Sequence, residues 1–276
     1  MIDNKTLYIS DLDGTLLGKD ARLSKKTIRI ISGLIDRGML FTAATARSQS
    51  SVPILEDLGL RIPCVQLNGV LIYDFPNKCY TDCTPIDVRS ARQVIDVLRK
   101  FDRMSFVYKA DETYGIHVEF ERLTNDVERN FFEVRKDNDY KSFCQVNNIT
   151  VSDNDKVIYF TMVDEYSRLS AICEEISRIE GVSPTLYSDN YSDLYFLEVF
   201  SSRATKARGM QMIKELTGAS KVVAFGDNLN DIEMLKTADI GIAVGDAAPQ
   251  VREIADIVIG NSFEDAVALY LEEFCS

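Results

Sequence analysis

Two short acidic segments hold the residues best suited to chemistry. Ser10-Asp11-Leu12-Asp13-Gly14-Thr15 follows the apolar run Leu7-Tyr8-Ile9, and Gly226-Asp227-Asn228-Leu229-Asn230-Asp231 follows another, Val222 to Phe225. In an extended chain alternate side chains share a face, so Asp11 and Asp13 are expected on one side with Leu12 pointing away. If both runs are parallel strands, both segments emerge at strand carboxyl ends, where open α/β sheets bind ligands. Carboxylates gathered there raise one another's pKa unless a cation is bound among them. A hard divalent ion meets that need, and Mg²⁺, which keeps waters and pairs with phosphate, suits a site with few protein ligands. The blander alternative stays open on each segment alone: a polar turn at Asp11 and Asp13, and a helix cap at Asp231.

Two further residues supply what a phosphate needs. Thr45, after Leu40 to Ala44, offers a hydroxyl and a loop amide, and Lys206, in the first turn of a helix, offers a point charge. Alone, a Thr after a strand is a turn former and a Lys on a helix is a solvated charge. Asn68-Gly69 is equally a tight turn or a site loop.

The elements that must position these groups follow a regular rhythm. Ile28, Ile31, Leu34 and Ile35 share one helical face within 24–37, closed by Gly38. Then come the strand 40–44, a helix near Ser51 to Leu58 and the strand Cys64 to Leu67. The same alternation returns with a helix from Thr205 to Leu216, the strand at 222–225, a helix near Asp231, then Ile240 to Val244, Ile257 to Ile259 and a last helix. Short apolar runs alternating with helices predict a parallel sheet covered on both faces. Between these halves the pattern changes. A helix with Val88, Ala91, Ile95, Leu98 and Phe101 on one face precedes alternating strands near Ser105 to Tyr108 and Ile116 to Phe120. A polar stretch through Asp137-Asn138-Asp139, a strand at 157–163 and a helix near 169–179 follow. The expected organisation is α/β: a Rossmann-like doubly wound core over 1–83 and 194–276, with an inserted α+β cap over 84–193.

Composition narrows the partners. At 276 residues the chain exceeds the size of one typical core. A formal charge of −12 disfavours nucleic acid and anionic lipid. No stretch approaches the roughly 20 apolar residues of a bilayer span, and Met1 to Lys5 carry no export signal, so a cytoplasmic location is expected. Cys64, Cys79, Cys83, Cys144, Cys173 and Cys275 are irregularly spaced, which fits reduced thiols. The nearest pair, Cys79 and Cys83, lacks a second Cys/His pair for a zinc site and reads as a hairpin edge.

Together these segments resemble the haloacid dehalogenase superfamily, in particular its Cof-type phosphatase branch with a subfamily IIB cap. The resemblance covers the whole chain: Asp11-Leu12-Asp13-Gly14-Thr15, Thr45, Lys206 and Gly226 to Asp231 match the four family motifs in order. It implies a Mg²⁺-dependent phosphatase acting on small phosphomonoesters, sugar phosphates first among them. Asp11 is then the nucleophile that forms an aspartyl-phosphate, and Asp13 the acid and base. Mg²⁺ is held by the Asp11 carboxylate, the Asp13 carbonyl and Asp227, with Asp231 supporting the site. Thr45, Ala46, Lys206 and Asn230 bind the phosphoryl oxygens. Two positions depart from the pattern: Ala46 stands where the family has Gly between Thr45 and Arg47, and Asp246 where the branch more often has Asn. The second either weakens phosphate binding or helps select a cationic or polyhydroxy substrate. Tyr108, Lys109, His117, Arg122 and Tyr187 are cap residues that could face a ligand, with packing as the alternative; His117 receives no catalytic role. A phosphomutase, or a non-catalytic module binding a phosphorylated metabolite, are the competing functions.

Overall fold

The computed structural model describes residues 5–48, 52–104, 106–137, 140–188 and 192–275. Expectations that touch Met1 to Asn4, Ser51, Ser105, Asn138 and Asp139 lie outside them. In chain order, β1 (Thr6–Ser10), α1 (Lys25–Asp36), β2 (Leu40–Ala43), β3 (Cys64–Gln66), β4 (Leu71–Asp74) and β5 (Cys79–Cys83) come first. They are followed by α2 (Val88–Lys100), β6 (Phe106–Ala110), β7 (Ile116–Phe120), α3 (Asp126–Arg135), β8 (Lys141–Gln145), β9 (Lys156–Asp164), α4 (Tyr166–Ile176), β10 (Val182–Ser188) and β11 (Tyr195–Ser201). The last third holds α5 (Lys206–Thr217), β12 (Lys221–Gly226), α6 (Ile232–Thr237), β13 (Ile240–Ala243), α7 (Pro249–Ile254), β14 (Ile257–Val258) and α8 (Ala266–Cys275).

The chain divides into two compact units, Met1–Asp82 with Thr205–Ser276, and Cys83–Ala204. The first unit is built on a parallel sheet in the order β14-β13-β12-β1-β2. Its central strands read as almost unbroken apolar runs because both faces are covered: Leu7, Ile9, Val222, Ala224 and Phe225 are fully buried. Truncating such a residue, Ile9→Ala for example, costs about 2–5 kcal/mol through lost transfer energy and a cavity. Helix α1 starts where Ser24 accepts the Thr27 N–H at 2.9 Å, and it buries Ile30, Ile31, Leu34 and Ile35. The segment 53–58 is a 3₁₀ helix closed by Gly59. A small sheet, β3-β4-β5, lies beside the main one, tied to it where Ala44 bridges Val65 in parallel. Cys79 and Cys83 are in β5 of that sheet, and all six cysteines are free thiols.

The second unit is a six-stranded sheet, β10-β11-β9-β6-β7-β8, antiparallel apart from the parallel pair β7–β8. Leu98 of α2 and Leu169 and Ile172 of α4 join Val107, Phe160, Leu197 and Val199 of the sheet in one buried cluster. The chain returns to the first unit at 204/205, eleven residues later than the expected 193/194. The reason is β11, which pairs antiparallel with β9 and β10 and has no strand neighbour in the parallel sheet. The exit falls at 82/83, one residue before the expected 83/84.

Candidate active site

β1 and β12 are adjacent and in register, with Ser10 opposite Phe225, so the residues after them leave the sheet side by side. The Asp11 N–H still bonds the Phe225 carbonyl at 2.9 Å. Beyond it the chain abandons the extended form. Leu12–Leu16 makes a single wide turn, closed by Leu17 N–H on Leu12 O at 2.8 Å, with Gly14 at φ +81°. Alternation therefore stops where it was expected to align the two aspartates. Asp11 turns inward, with 6% of its side chain exposed, while Asp13 is 52% exposed and forms a two-point pair with Arg47, Nε to Oδ2 at 2.8 Å and Nη2 to Oδ1 at 2.5 Å.

Oxygen atoms of Asp11, Asp227 and Asp231 lie within 4.8 Å of one another. Lys206 joins two of them: Nζ donates to Asp11 Oδ1 at 2.6 Å and to Asp231 Oδ1 at 2.7 Å. The other Asp231 oxygen accepts the Asp227 and Asn228 N–H groups at 3.1 and 3.0 Å, which locks the turn after β12. Asp227 is held by Thr15, whose hydroxyl donates to Oδ1 at 2.8 Å. Gly14 permits that approach, since a Cβ there would lie 2.4 Å from Asp227 Oδ2.

Lys206 owes its position to close packing. Thr205 caps α5 by accepting the Arg208 N–H at 3.1 Å, which puts Lys206 in the first turn, 2% exposed. The loop after β3 presses against that cap at Gly69, φ +99°, where a Cβ would stand 2.2 Å from the Thr205 carbonyl oxygen. Leu67 and Asn68, at φ +48° and +53°, are also left-handed, a costly run for side-chain-bearing residues. In this arrangement Asn68 donates its N–H to Thr45 O at 3.0 Å and accepts from Asn230 Nδ2 at 3.1 Å. The strained loop thus ties together two expected phosphate-binding positions.

Thr45 is fully buried, and its own N–H is committed to Val65 O at 2.9 Å. Its hydroxyl accepts the Arg47 N–H at 3.0 Å. The loop amide expected from Thr45 is therefore spent, whereas the N–H of exposed Ala46 has no intramolecular acceptor among the described residues. Asp246, the other departure, turns both oxygens onto Ser262, N–H and hydroxyl each at 2.8 Å. Sequence spacing gave no sign of the Arg47–Asp13 pair or of Thr15 on Asp227; only the adjacency of Arg47 to Thr45-Ala46 hinted at the first.

The electrostatics are those of crowded carboxylates. Burial pushes Asp11 up from 3.8 to about 7, against the pull of Lys206 and with help from Asp231. Burial also raises Asp227, partly offset by the Thr15 hydrogen bond, and the two acids sit close enough to share a proton. Burial opposes the charge on Lys206, but Asp11 and Asp231 outweigh it and hold Lys206 above its ordinary value. Three carboxylates against one ammonium leave negative charge uncompensated in a buried place. All-oxygen donors with surplus negative charge fit a hard divalent cation.

A buried acid cluster at the carboxyl edge of a parallel α/β sheet, linked by one lysine and rimmed by a Thr and an Asn, has the kinds of group that phosphoryl chemistry needs. The profile of the haloacid dehalogenase-like hydrolases matches residues 8–271, and the chain belongs to that family. It is 27% identical to the 5-amino-6-(5-phospho-D-ribitylamino)uracil phosphatase YitU of Bacillus subtilis, over 98% of this chain and 97% of that protein. It is 28% identical to the pyridoxal phosphate phosphatase YbhA of Escherichia coli, over 95% of each. Among solved structures, the subclass IIB sugar phosphatase BT4131 superposes with a TM-score of 0.66 at 21% identity, covering 98% of both chains. These likenesses agree with a Cof-type relative whose antiparallel second unit has the fold of a cap.

Proposed function

We propose that the protein is a Mg²⁺-dependent phosphatase that hydrolyses small soluble phosphomonoesters through a phosphorylated Asp11. The observation that carries this reading is Lys206, buried and bonded at once to Asp11 and Asp231 while Asp227 stands beside them. Asp11 is buried, held by one cation and aimed from the end of β1, as a carboxylate nucleophile must be. One of its oxygens attacks phosphorus as the ester bond breaks, and the departing alkoxide takes a proton from Asp13. Water then attacks the aspartyl-phosphate, giving its proton to Asp13 and returning Asp11 as a carboxylate. Asp13 stands free of the buried cluster on the solvent side, but it must leave Arg47 to act. Thr45, the Ala46 amide, Lys206 and Asn230 orient the phosphoryl oxygens, with Asp231 fixing Lys206.

Asp11, Asp227 and the carbonyl of Asp13 are the residues assigned to Mg²⁺, with Asp231 outside its ligand set. The ion, when bound, supplies charge that steadies the transferring phosphoryl group. Surplus carboxylate charge supports this assignment.

Substrate class is drawn from chemistry shared by the relatives, whose names specify a uracil bearing a phosphorylated ribitylamino group, pyridoxal phosphate and a sugar phosphatase. Sugar phosphates remain the first class to test, followed by phosphate esters of heteroaromatic compounds. A cytoplasmic setting is supported by six free thiols and by the absence of any described helix long and apolar enough to cross a membrane. Phosphate release from such a panel, with Mg²⁺, with EDTA and with Asp11→Asn, is the test. Metal-dependent release lost in the variant is expected. Release that persists in Asp11→Asn removes the proposed nucleophile.

A further inference from the structure

In the second unit, the face of the sheet opposite α2 and α4 is rich in aromatic residues. Pairing register puts Phe106, Tyr108, Tyr159 and Phe196 on that side. Helix α3 covers part of it, with Phe131 stacked on Phe106 at 4.9 Å between ring centroids. Beside α3 lies a cavity of ≈ 510 Å³, with Asn130, Phe131, Arg135 and Phe196 among its lining residues; its size is typical of small-ligand sites. The rings of Phe131 and Phe196 stand 6.5 Å apart, and the Arg135 guanidinium lies 4.1 Å over Phe131.

The charges around this cavity are out of balance with the rest of the chain. Acidic residues outnumber basic ones, 43 to 31, so partners for cations are plentiful. Yet among the described residues neither Arg135 nor Lys141 bonds a carboxylate; Arg135 donates only to Phe131 O, at 3.4 Å. Lys141 instead stands 5.4 Å from the Tyr108 ring and 5.8 Å from that of Phe143. Burial and then the nearby Arg135 pull Lys141 down to about 8. Two neighbouring cations, neither bonded to a carboxylate among the described residues, favour an anion; Glu198, a buried acid on the same face, accepts from Tyr159 instead. The cavity's own carboxylate, Asp126, is already paired with Arg129 at 2.7 Å.

We propose that this cavity binds a planar aromatic or heteroaromatic compound bearing an anionic substituent, its ring against Phe196 and the edge of Phe131 and its anion on Arg135, near Lys141. Aromatic walls select a flat ring, and the guanidinium fork matches a carboxylate or similar group in two-point geometry. Such a ring can belong to the phosphate ester that the enzyme cleaves or to a separate ligand. Only the first source rests on the phosphatase reading.

Anthranilate is a suitable probe: it fluoresces, and the chain contains no Trp to interfere. Saturable binding to the full chain is expected, weakened about tenfold by Arg135→Gln or Phe196→Leu, less by Lys141→Gln, and partly recovered in Arg135→Lys. Neither EDTA nor Asp11→Asn should abolish it. Benzamide, flat but uncharged, and cyclohexanecarboxylate, charged but not flat, should displace it poorly. A rise in KM at unchanged kcat, with anthranilate present and a phosphate ester as substrate, assigns the site to the ester's own ring. Binding that leaves KM unchanged assigns it to a separate ligand. Absence of saturable binding, equal displacement by cyclohexanecarboxylate, or equal affinity in folded Arg135→Gln and Phe196→Leu proteins overturns the proposal. If Asp11→Asn keeps full phosphate release while these binding results hold, the catalytic reading fails and this one stands.

Discussion

Lys206 in the first unit and Arg103 in the second are both withdrawn from solvent, 2% and 1% exposed, and each bonds two carboxylates. Arg103 reaches Glu128, Asp164 at 2.9 Å, and the carbonyls of Met104 and Val163 at 2.8 and 2.5 Å. Glu128 also accepts the N–H and hydroxyl of Thr124 at 2.7 and 2.9 Å. Arg168 adds a second cation 3.3 Å from Asp164, so two cations meet two carboxylates in a network that fastens α3 to β9. Around Lys206 a third acid, Asp227, is added with no further ion pair among the described residues, and burial, with Asp231 beside it, keeps the proton affinity of Asp11 high. A buried ion cluster that is balanced holds structure together; one left unbalanced is poised to take a cation and a phosphate.

The largest expected effect separates the clusters by activity. Asp11→Asn should lower the rate of phosphate release by about 10⁴-fold or more, the scale on which loss of a nucleophile is felt, while leaving the fold intact. Arg103→Met should do the reverse. It strands Glu128 without its cation and should cost about 3–5 kcal/mol of stability, seen as a lowered Tm, with metal binding retained.

A third measurement uses pH. Asp11 is raised from 3.8 to about 7, so the metal-free folded chain holds a proton that the unfolded chain releases. Its contribution to stability is complete below pH 3.8 and is lost as pH rises through about 7. Mg²⁺ competes with that proton. The stabilisation on adding it, read as a rise in Tm, should therefore be larger at pH 8 than at pH 5, and about 2.7 kcal/mol at a hundredfold excess over the Kd at pH 8. An equal rise at both pH values would mean that the ion binds elsewhere. The smallest effect is expected from Asp246→Asn. Because Ser262 occupies both Asp246 oxygens, kcat/KM should change by less than about twofold, within the few tenths of a kcal/mol typical of such surface positions.

How much of this was legible in the sequence follows from where each signal resides. β1 and β12 are buried on both faces and announce themselves as apolar runs, and α1 and α5 carry Ser24 and Thr205 as caps before their periodic faces. Asp11, Asp227, Asp231 and Lys206 could be named because each lies just after a strand or just inside a helix. The return boundary was misplaced because β11 pairs with β9 and β10, a contact that local sequence does not encode. Helix α3 was not anticipated, since only Glu128 of its ten residues is fully buried and its apolar stripe is short. Arg47 and Asp13 are 34 residues apart, and their pairing depends on how two loops leave the sheet.

The most direct test of the central claim is to quench the enzyme in acid during turnover of a phosphate ester with Mg²⁺, reduce it with borohydride and read the peptide containing Asp11 by mass spectrometry. A phosphorylated Asp11 predicts its reduction to homoserine at that position, dependent on substrate and absent with EDTA. Phosphate release at full rate with Asp11 never modified would contradict the account.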